Sequence, residues 1–136
     1  MIHLTAIIGL ALYAVVIALN LFFRRETIRF LAKHAAITDV AGLEAFKNLA
    51  RRNMKAALPL MAAFLVAMAL SAFLIIVDPL VGFVTFLLAN GLVVWSALAL
   101  RKVEIRVREL PCPDPALAAT YKRISTSWLS DPWPDF

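Results

Sequence analysis

Three long apolar stretches divide the chain, and charged residues gather only between and after them. The stretches cover residues 4–23, 56–77 and 79–100, and each is free of Asp, Glu, Lys and Arg. About 20 apolar residues in an α-helix cross about 30 Å of hydrocarbon. The pattern therefore predicts three transmembrane helices.

Helical periodicity continues beyond the apolar stretches. Residues 23–35 keep apolar side chains at helical spacing without Gly or Pro, so the first helix is expected to extend past its span. Thr38 and Asp39 are typical capping residues and precede a second amphipathic run that leads into span two. These two extensions are expected to form an antiparallel stalk that turns at residues 38–42.

The link between spans two and three is so short that they must form an antiparallel hairpin. Asp78 is suited to cap the third helix, and Pro79 is suited to its first position. The third helix is expected to continue into residues 101–110, where Glu104 and Arg108 stand in the order that favours an ion pair along a helix.

The last part of the chain, residues 111–136, is rich in proline and aromatic residues. Asp114 and Pro115 predict a helix start, and the apolar residues that follow form one stripe. The stripe is expected to dock on the stalk, the membrane surface or another protein. The partner-docking residues are Leu117, Tyr121, Ile124, Trp128, Trp133 and Phe136.

The predicted fold is an all-α membrane protein with three transmembrane helices, helical cytoplasmic extensions and a short amphipathic C-terminal helix. Residues 1–110 are expected to form the transmembrane bundle with its cytoplasmic stalk. Residues 111–136 are expected to form a cytoplasmic docking tail.

The charge distribution predicts the orientation. The chain has 14 Lys and Arg against 9 Asp and Glu, and every basic residue lies between spans one and two or after span three. The positive-inside rule then places the N-terminus outside and the C-terminus in the cytoplasm of a bacterial-type inner membrane. The basic residues set the topology and also attract anionic lipids, by about 1 kcal/mol per residue near the membrane surface. These two roles account for the positive charge, so no nucleic-acid partner is expected. Span one runs into Arg24 and Arg25 and is expected to remain as an anchor.

Polar residues within the spans are expected to tie the helices together. Asn90 lies about eleven residues from the outer end of span three, and Tyr13 lies about ten from that of span one, so the two share a depth. We therefore predict a hydrogen bond between Tyr13 and Asn90, with Ser71 as a third helix-packing residue. Asn20, near the inner end of span one, is expected to find water or headgroups.

Candidate chemistry is sparse. His3, His34 and Cys112 have no neighbours at metal-ligand spacing, and the spans lack the ionisable group that a coupled carrier needs. No catalytic residue, cofactor or metal is predicted, and a lipid is the one small molecule that the pattern leaves open. The headgroup-binding candidates before span two are Arg51, Arg52, Asn53 and Lys55.

Asn53 and Pro59 resemble part of the second-helix signature of the membrane-associated eicosanoid and glutathione metabolism enzymes. In that signature an Asn is followed by Glu three residues later and by Pro six residues later. The resemblance implies a glutathione site at this boundary, but Ala56 stands in place of the Glu and a fourth span is missing. The function is therefore not carried over.

Three hypotheses follow. The first is a non-catalytic integral membrane subunit or scaffold of an oligomeric complex of respiratory, photosynthetic or transport type, whose partners are other subunits or copies of itself. The second is a small membrane enzyme or lipid-handling protein, which requires one pocket to gather Arg51, Arg52, Asn53, His34 and Lys55. The third is a homo-oligomeric pore. In a pore, several copies of the chain would surround one axis, and each copy would face it with Thr85, Asn90 and Ser96.

Overall fold

The computed structural model describes residues 2–136, and within that range every regular element is an α-helix. The helices are α1 (Ile2–Lys33), α2 (Val40–Val77), α3 (Pro79–Arg108) and α4 (Pro115–Ser130). The first three of these contain 32, 38 and 30 residues and are long and apolar enough to cross a membrane. The prediction of an all-helical chain with three helices of this kind is confirmed.

Aspartate side chains cap the starts of α2, α3 and α4. The first amides of a helix have no partner within the helix, and a carboxylate just before it can accept from them. The capping bonds run from Gly42 N to Asp39 Oδ1 at 2.7 Å, from Val81 N to Asp78 Oδ1 at 3.2 Å and from Ala116 N to Asp114 Oδ1 at 2.9 Å. These caps are the ones that the sequence predicts, and they fix where each helix begins.

The chain forms two compact units. The first comprises the chain up to Phe22 together with Pro59–Leu100, and so holds the apolar parts of the three long helices. The second comprises Phe23–Leu58 and Arg101–Phe136. It holds the charged parts of the same helices, which we call the extensions, and also α4 and the residues that follow it.

The core of the first unit is built mainly from small and aliphatic side chains. Its buried residues are Tyr13, Val16, Ala67, Ala89 and Val93. Ala67 and Ala89 leave room for the helices to approach closely, as small residues do in membrane helix packing. Large aliphatic side chains such as Leu80 and Leu88 are instead exposed on the outer faces, where hydrocarbon is their expected solvent.

The core of the second unit is centred on the ring of Phe46, which is fully buried. Its ring centroid lies 6.3 Å from that of Phe30, 4.7 Å from that of Tyr121 and 5.8 Å from that of Trp128. The buried core also contains Ile37, Leu43, Leu49, Ala50, Val107 and Ile124. The apolar stripe of α4 therefore packs onto the extensions.

Candidate functional site

Tyr13 joins the three long helices of the first unit. Its Oη atom lies 2.9 Å from Ser71 Oγ on α2 and accepts a hydrogen bond from Asn90 Nδ2 on α3 at 3.1 Å. Asn90 Nδ2 also donates to Phe86 O at 2.7 Å. The Tyr13–Asn90 bond is the pair that depth matching predicts, and Ser71 completes it. The side chains of Tyr13, Ser71 and Asn90 hydrogen-bond to one another across three helices, so they stabilise helix packing.

A second interhelical bond lies nearer to Phe22 and Leu100, the residues at which this unit ends along the chain. Asn20 Nδ2 donates to Ser96 Oγ at 3.0 Å, and Ser96 Oγ donates onward to Val93 O at 2.9 Å. Asn20 is buried, so the expectation that water or headgroups satisfy it is corrected. The neutral amide finds a hydroxyl on the neighbouring helix because an unsatisfied amide in hydrocarbon is costly.

The four headgroup-binding candidates each have a separate partner within the second unit. Arg51 Nε donates to the main-chain oxygen of Phe136 at 3.2 Å, Arg52 Nη2 to Glu26 Oε2 at 3.4 Å, and Asn53 Nδ2 to Glu104 Oε1 at 3.1 Å. Lys55 Nζ lies 5.9 Å from the centre of the Trp133 ring. These side chains diverge, so they do not form the single pocket that an enzyme site at this position requires.

A cationic groove of about 500 Å³ runs between the extensions of α1 and α2. Arg52 and His34 line it, whereas the other members of the enzyme hypothesis do not. Glu26 accepts a hydrogen bond from Arg29 at 2.6 Å, which lowers the pKa of the Glu26 carboxyl, and Arg52 acts in the same direction. The groove keeps a net positive lining because Lys33 adds a further charge. Such a lining can hold an anion, but it offers no evident nucleophile.

Asn53 and Glu104 form a polar pair between the extensions of α2 and α3. Asn53 is only 6% exposed, and burial raises the pKa of the Glu104 carboxyl against the opposing effects of Asn53, Arg108 and Arg101. The sequence favours an ion pair of Glu104 with Arg108, but the hydrogen bond to this carboxylate comes from Asn53. Tertiary packing thus replaces the pairing that helix spacing alone suggests.

The stripe of α4 is largely covered by the chain itself. Tyr121 and Ile124 are buried, and Leu117, Trp128 and Phe136 pack against the same core. Tyr121 Oη donates to Val107 O at 2.6 Å and accepts from Leu110 N at 2.9 Å, which ties α4 to the end of α3. Burial also raises the pKa of Tyr121. Of the residues assigned to partner docking, Trp133 remains the most exposed, at 51%.

The hydrogen-bond partners of Glu26 and Glu104 in the second unit do not follow from the sequence pattern. Glu26 and Glu104 face their partners through long side chains whose directions depend on how the helices pack. Within residues 2–136, no three His, Cys, Asp or Glu side chains lie together in a group that could hold a metal ion. The thiol of Cys112 is free and partly exposed.

Comparison of the chain with protein-family models, curated proteins and solved structures finds no match.

Proposed function

We propose that the chain is a non-catalytic integral subunit or scaffold of an oligomeric membrane complex, of respiratory, photosynthetic or transport type. The polar side chains of the apolar helices support this, because Tyr13, Asn20 and Asn90 use their hydrogen bonds on neighbouring helices. A transport or redox centre within the spans would instead need such groups to face a ligand or an ion.

The observation that carries the proposal is the surroundings of Gly91. This glycine lies exposed in the middle of α3, and among the described residues a Cβ atom built on it would meet nothing within 4 Å. Packing inside the chain therefore does not require glycine here, although glycine costs about 1 kcal/mol relative to alanine in a helix interior. Small residues let membrane helices of different subunits approach closely. A helix from another polypeptide packed at Gly91 accounts for the residue.

The same proposal includes a location and an orientation. The bilayer is of the bacterial inner-membrane type, with the N-terminus outside and the second unit in the cytoplasm. The support is the placement of all Lys and Arg residues between the first two apolar stretches or after the third, to which the positive-inside rule applies.

The second candidate is a lipid-handling protein or a small membrane enzyme. The groove between the extensions of α1 and α2 favours it, because Arg29, Lys33 and Arg52 can hold a phosphate. The divergence of Arg51, Asn53 and Lys55 counts against the enzyme site expected from the sequence. A pore is disfavoured because Asn90 and Ser96 bond to Tyr13 and Asn20 within one chain.

Native mass spectrometry of the full chain, extracted from its own membranes in mild detergent, tests the proposal. The wild type is expected to retain other polypeptides or further copies of itself. Gly91→Leu is expected to lose them without loss of thermal stability of the chain purified alone, because Gly91 is exposed and a Cβ atom there meets nothing within 4 Å. Ala69→Leu adds bulk at an exposed position on α2 and serves as the matched control.

A monomer with no bound polypeptide would contradict the subunit proposal. A monomer that retains a phospholipid or another phosphate-bearing molecule, and loses it in Lys33→Gln, would favour the second candidate.

A further inference from the structure

Lys55 and Arg101 mark the polar ends of two apolar stretches. Lys55 directly precedes residues 56–77, and Arg101 directly follows residues 79–100. The antiparallel register that pairs Asn53 with Glu104 brings Lys55 level with Lys102. These cations therefore lie at one level of the second unit, where the helices leave hydrocarbon if the apolar stretches span a bilayer.

Helix α4 runs back along the extension of α3 toward that level. Tyr121, near its middle, bonds to Val107, and farther along α4 Trp128 and Leu129 share a cavity of about 240 Å³ with Arg101. The C-terminal end of α4 thus lies beside the first residue that follows the third apolar stretch. The segment after α4 is fixed in place, since Arg51 Nε donates to the main-chain oxygen of Phe136.

Two large apolar side chains are exposed at this end of α4. Leu129 is 65% exposed and Trp133 is 51% exposed, whereas Tyr121 and Ile124 of the same segment are buried. The Trp133 ring lies 5.9 Å from Lys55 Nζ, so it is at the level of the boundary cations. Tryptophan favours the interface of a bilayer because its ring is apolar while its N–H still finds a polar partner.

We propose that Leu129 and Trp133 form an interfacial anchor that enters the bilayer crossed by the apolar helices. The two side chains lie among the first acyl carbons, and Lys55 and Arg101 bind the lipid phosphates around them. The occupant is lipid because the exposed apolar pair lies beside Arg101 and Lys55, which complement phosphate and border the apolar stretches along the sequence. This anchor is separate from the proposed subunit function because it requires no protein partner.

Depth-dependent fluorescence quenching tests the anchor in the full chain reconstituted alone into vesicles. Trp95→Phe and Trp128→Phe leave Trp133 as the single tryptophan. Its emission is expected to shift to the blue and to be quenched by phosphatidylcholine with brominated acyl chains. In the matched control, Trp133→Phe and Ala116→Trp move the tryptophan to the exposed first turn of α4, where quenching is expected to be absent.

A second measurement avoids altering Trp128, which packs against the core. In a Cys112→Ser background, Leu129→Cys carries a nitroxide whose collisions with oxygen and with a water-soluble nickel chelate report its depth. The label is expected to favour oxygen. A Trp133 that stays unquenched together with a nitroxide that favours the nickel chelate would overturn the anchor. Burial of both positions only in a native complex would assign this surface to a protein and would also overturn it.

The cations are tested separately. Adding phosphatidylglycerol to the vesicles is expected to increase Trp133 quenching. Lys55→Gln with Arg101→Gln is expected to remove that increase. An unchanged increase in this variant would overturn the role of Lys55 and Arg101 in binding lipid phosphate.

Discussion

Gly82 of α3 lies so close to Ile75 of α2 that a Cβ atom built on Gly82 would come within 2.6 Å of Ile75 Cα. The same atom would lie 2.6 Å from the carbonyl carbon of Leu74. Both contacts are with backbone, which cannot rotate away as a flexible side chain can. The α2–α3 hairpin therefore requires glycine at this position.

Gly82→Ala is expected to lower the free energy of unfolding by about 1–3 kcal/mol, the usual cost of overpacking. Gly91→Ala is the matched control, since the added methyl group has open space within the chain. The control is expected to leave stability unchanged or to raise it by up to about 1 kcal/mol. Thermal unfolding of the purified chain in detergent compares the two variants, and equal stability would contradict the close approach of the helices.

The bond between Tyr13 and Asn90 is expected to show as energetic coupling. A double-mutant cycle with Tyr13→Phe and Asn90→Leu is expected to give about 0.6 kcal/mol, and at most about 1.7 kcal/mol, as other interhelical bonds in membranes do. Steric trapping or thermal unfolding measures each variant. Strictly additive effects would mean that the two side chains do not stabilise the helices through a shared bond.

Tyr121→Phe is expected to loosen the connection between α3 and α4. The hydroxyl both donates to Val107 O and accepts from Leu110 N, so its loss leaves two backbone groups without this partner. The expected cost is about 1–3 kcal/mol. Hydrogen exchange of the Leu110 amide checks the local effect and is expected to speed up. The control Thr126→Ala removes an exposed hydroxyl on α4, and it is expected to leave that amide protected.

Stability is expected to depend on pH through Glu104. Burial raises the pKa of this carboxyl above its ordinary value of 4.5, so the folded state favours the protonated form. The resulting stabilisation is fully present at pH values below the pKa that Glu104 has in the unfolded chain. It is lost as pH rises through the higher pKa that Glu104 has in the folded chain. Arg101, Arg108 and Asn53 face the carboxyl and oppose this shift.

The pH dependence is read from the difference between the wild type and Glu104→Gln. Thermal stability of the wild type is expected to fall relative to the variant as pH rises from 4.5. Glu109→Gln removes an exposed carboxyl from the same segment and serves as the control. A wild type and a Glu104→Gln variant with parallel stability curves between acid and neutral pH would contradict the pKa shift.

Much of the helical framework is predictable from the sequence because it follows from local rules. Uncharged stretches predict the long helices, and the capping aspartates predict three of the helix starts. The Tyr13–Asn90 bond follows from counting depth, since an unsatisfied amide in hydrocarbon has few alternatives. The bond from Asn20 to Ser96 does not follow in the same way, because near the end of a span water and headgroups compete for the amide.

The second unit is less predictable because its contacts depend on the packing of long side chains. Helix spacing pairs Glu104 with Arg108, whereas in the structure Glu104 accepts a hydrogen bond from Asn53 on α2. The stripe of α4 is readable from the sequence, but the surface that receives it is not. That surface is the core around Phe46, which forms only when residues distant along the chain come together.

The orientation of the chain in the membrane is tested most directly with its single cysteine, Cys112. Cells that express the full chain are converted either to intact spheroplasts or to inside-out membrane vesicles. A membrane-impermeant maleimide is then applied to each preparation. Cys112 is expected to react only in the inside-out vesicles. His3→Cys in a Cys112→Ser background is expected to react only in the spheroplasts. The opposite pattern, or labelling of both positions from the same side, would contradict a three-span protein whose charged half faces the cytoplasm.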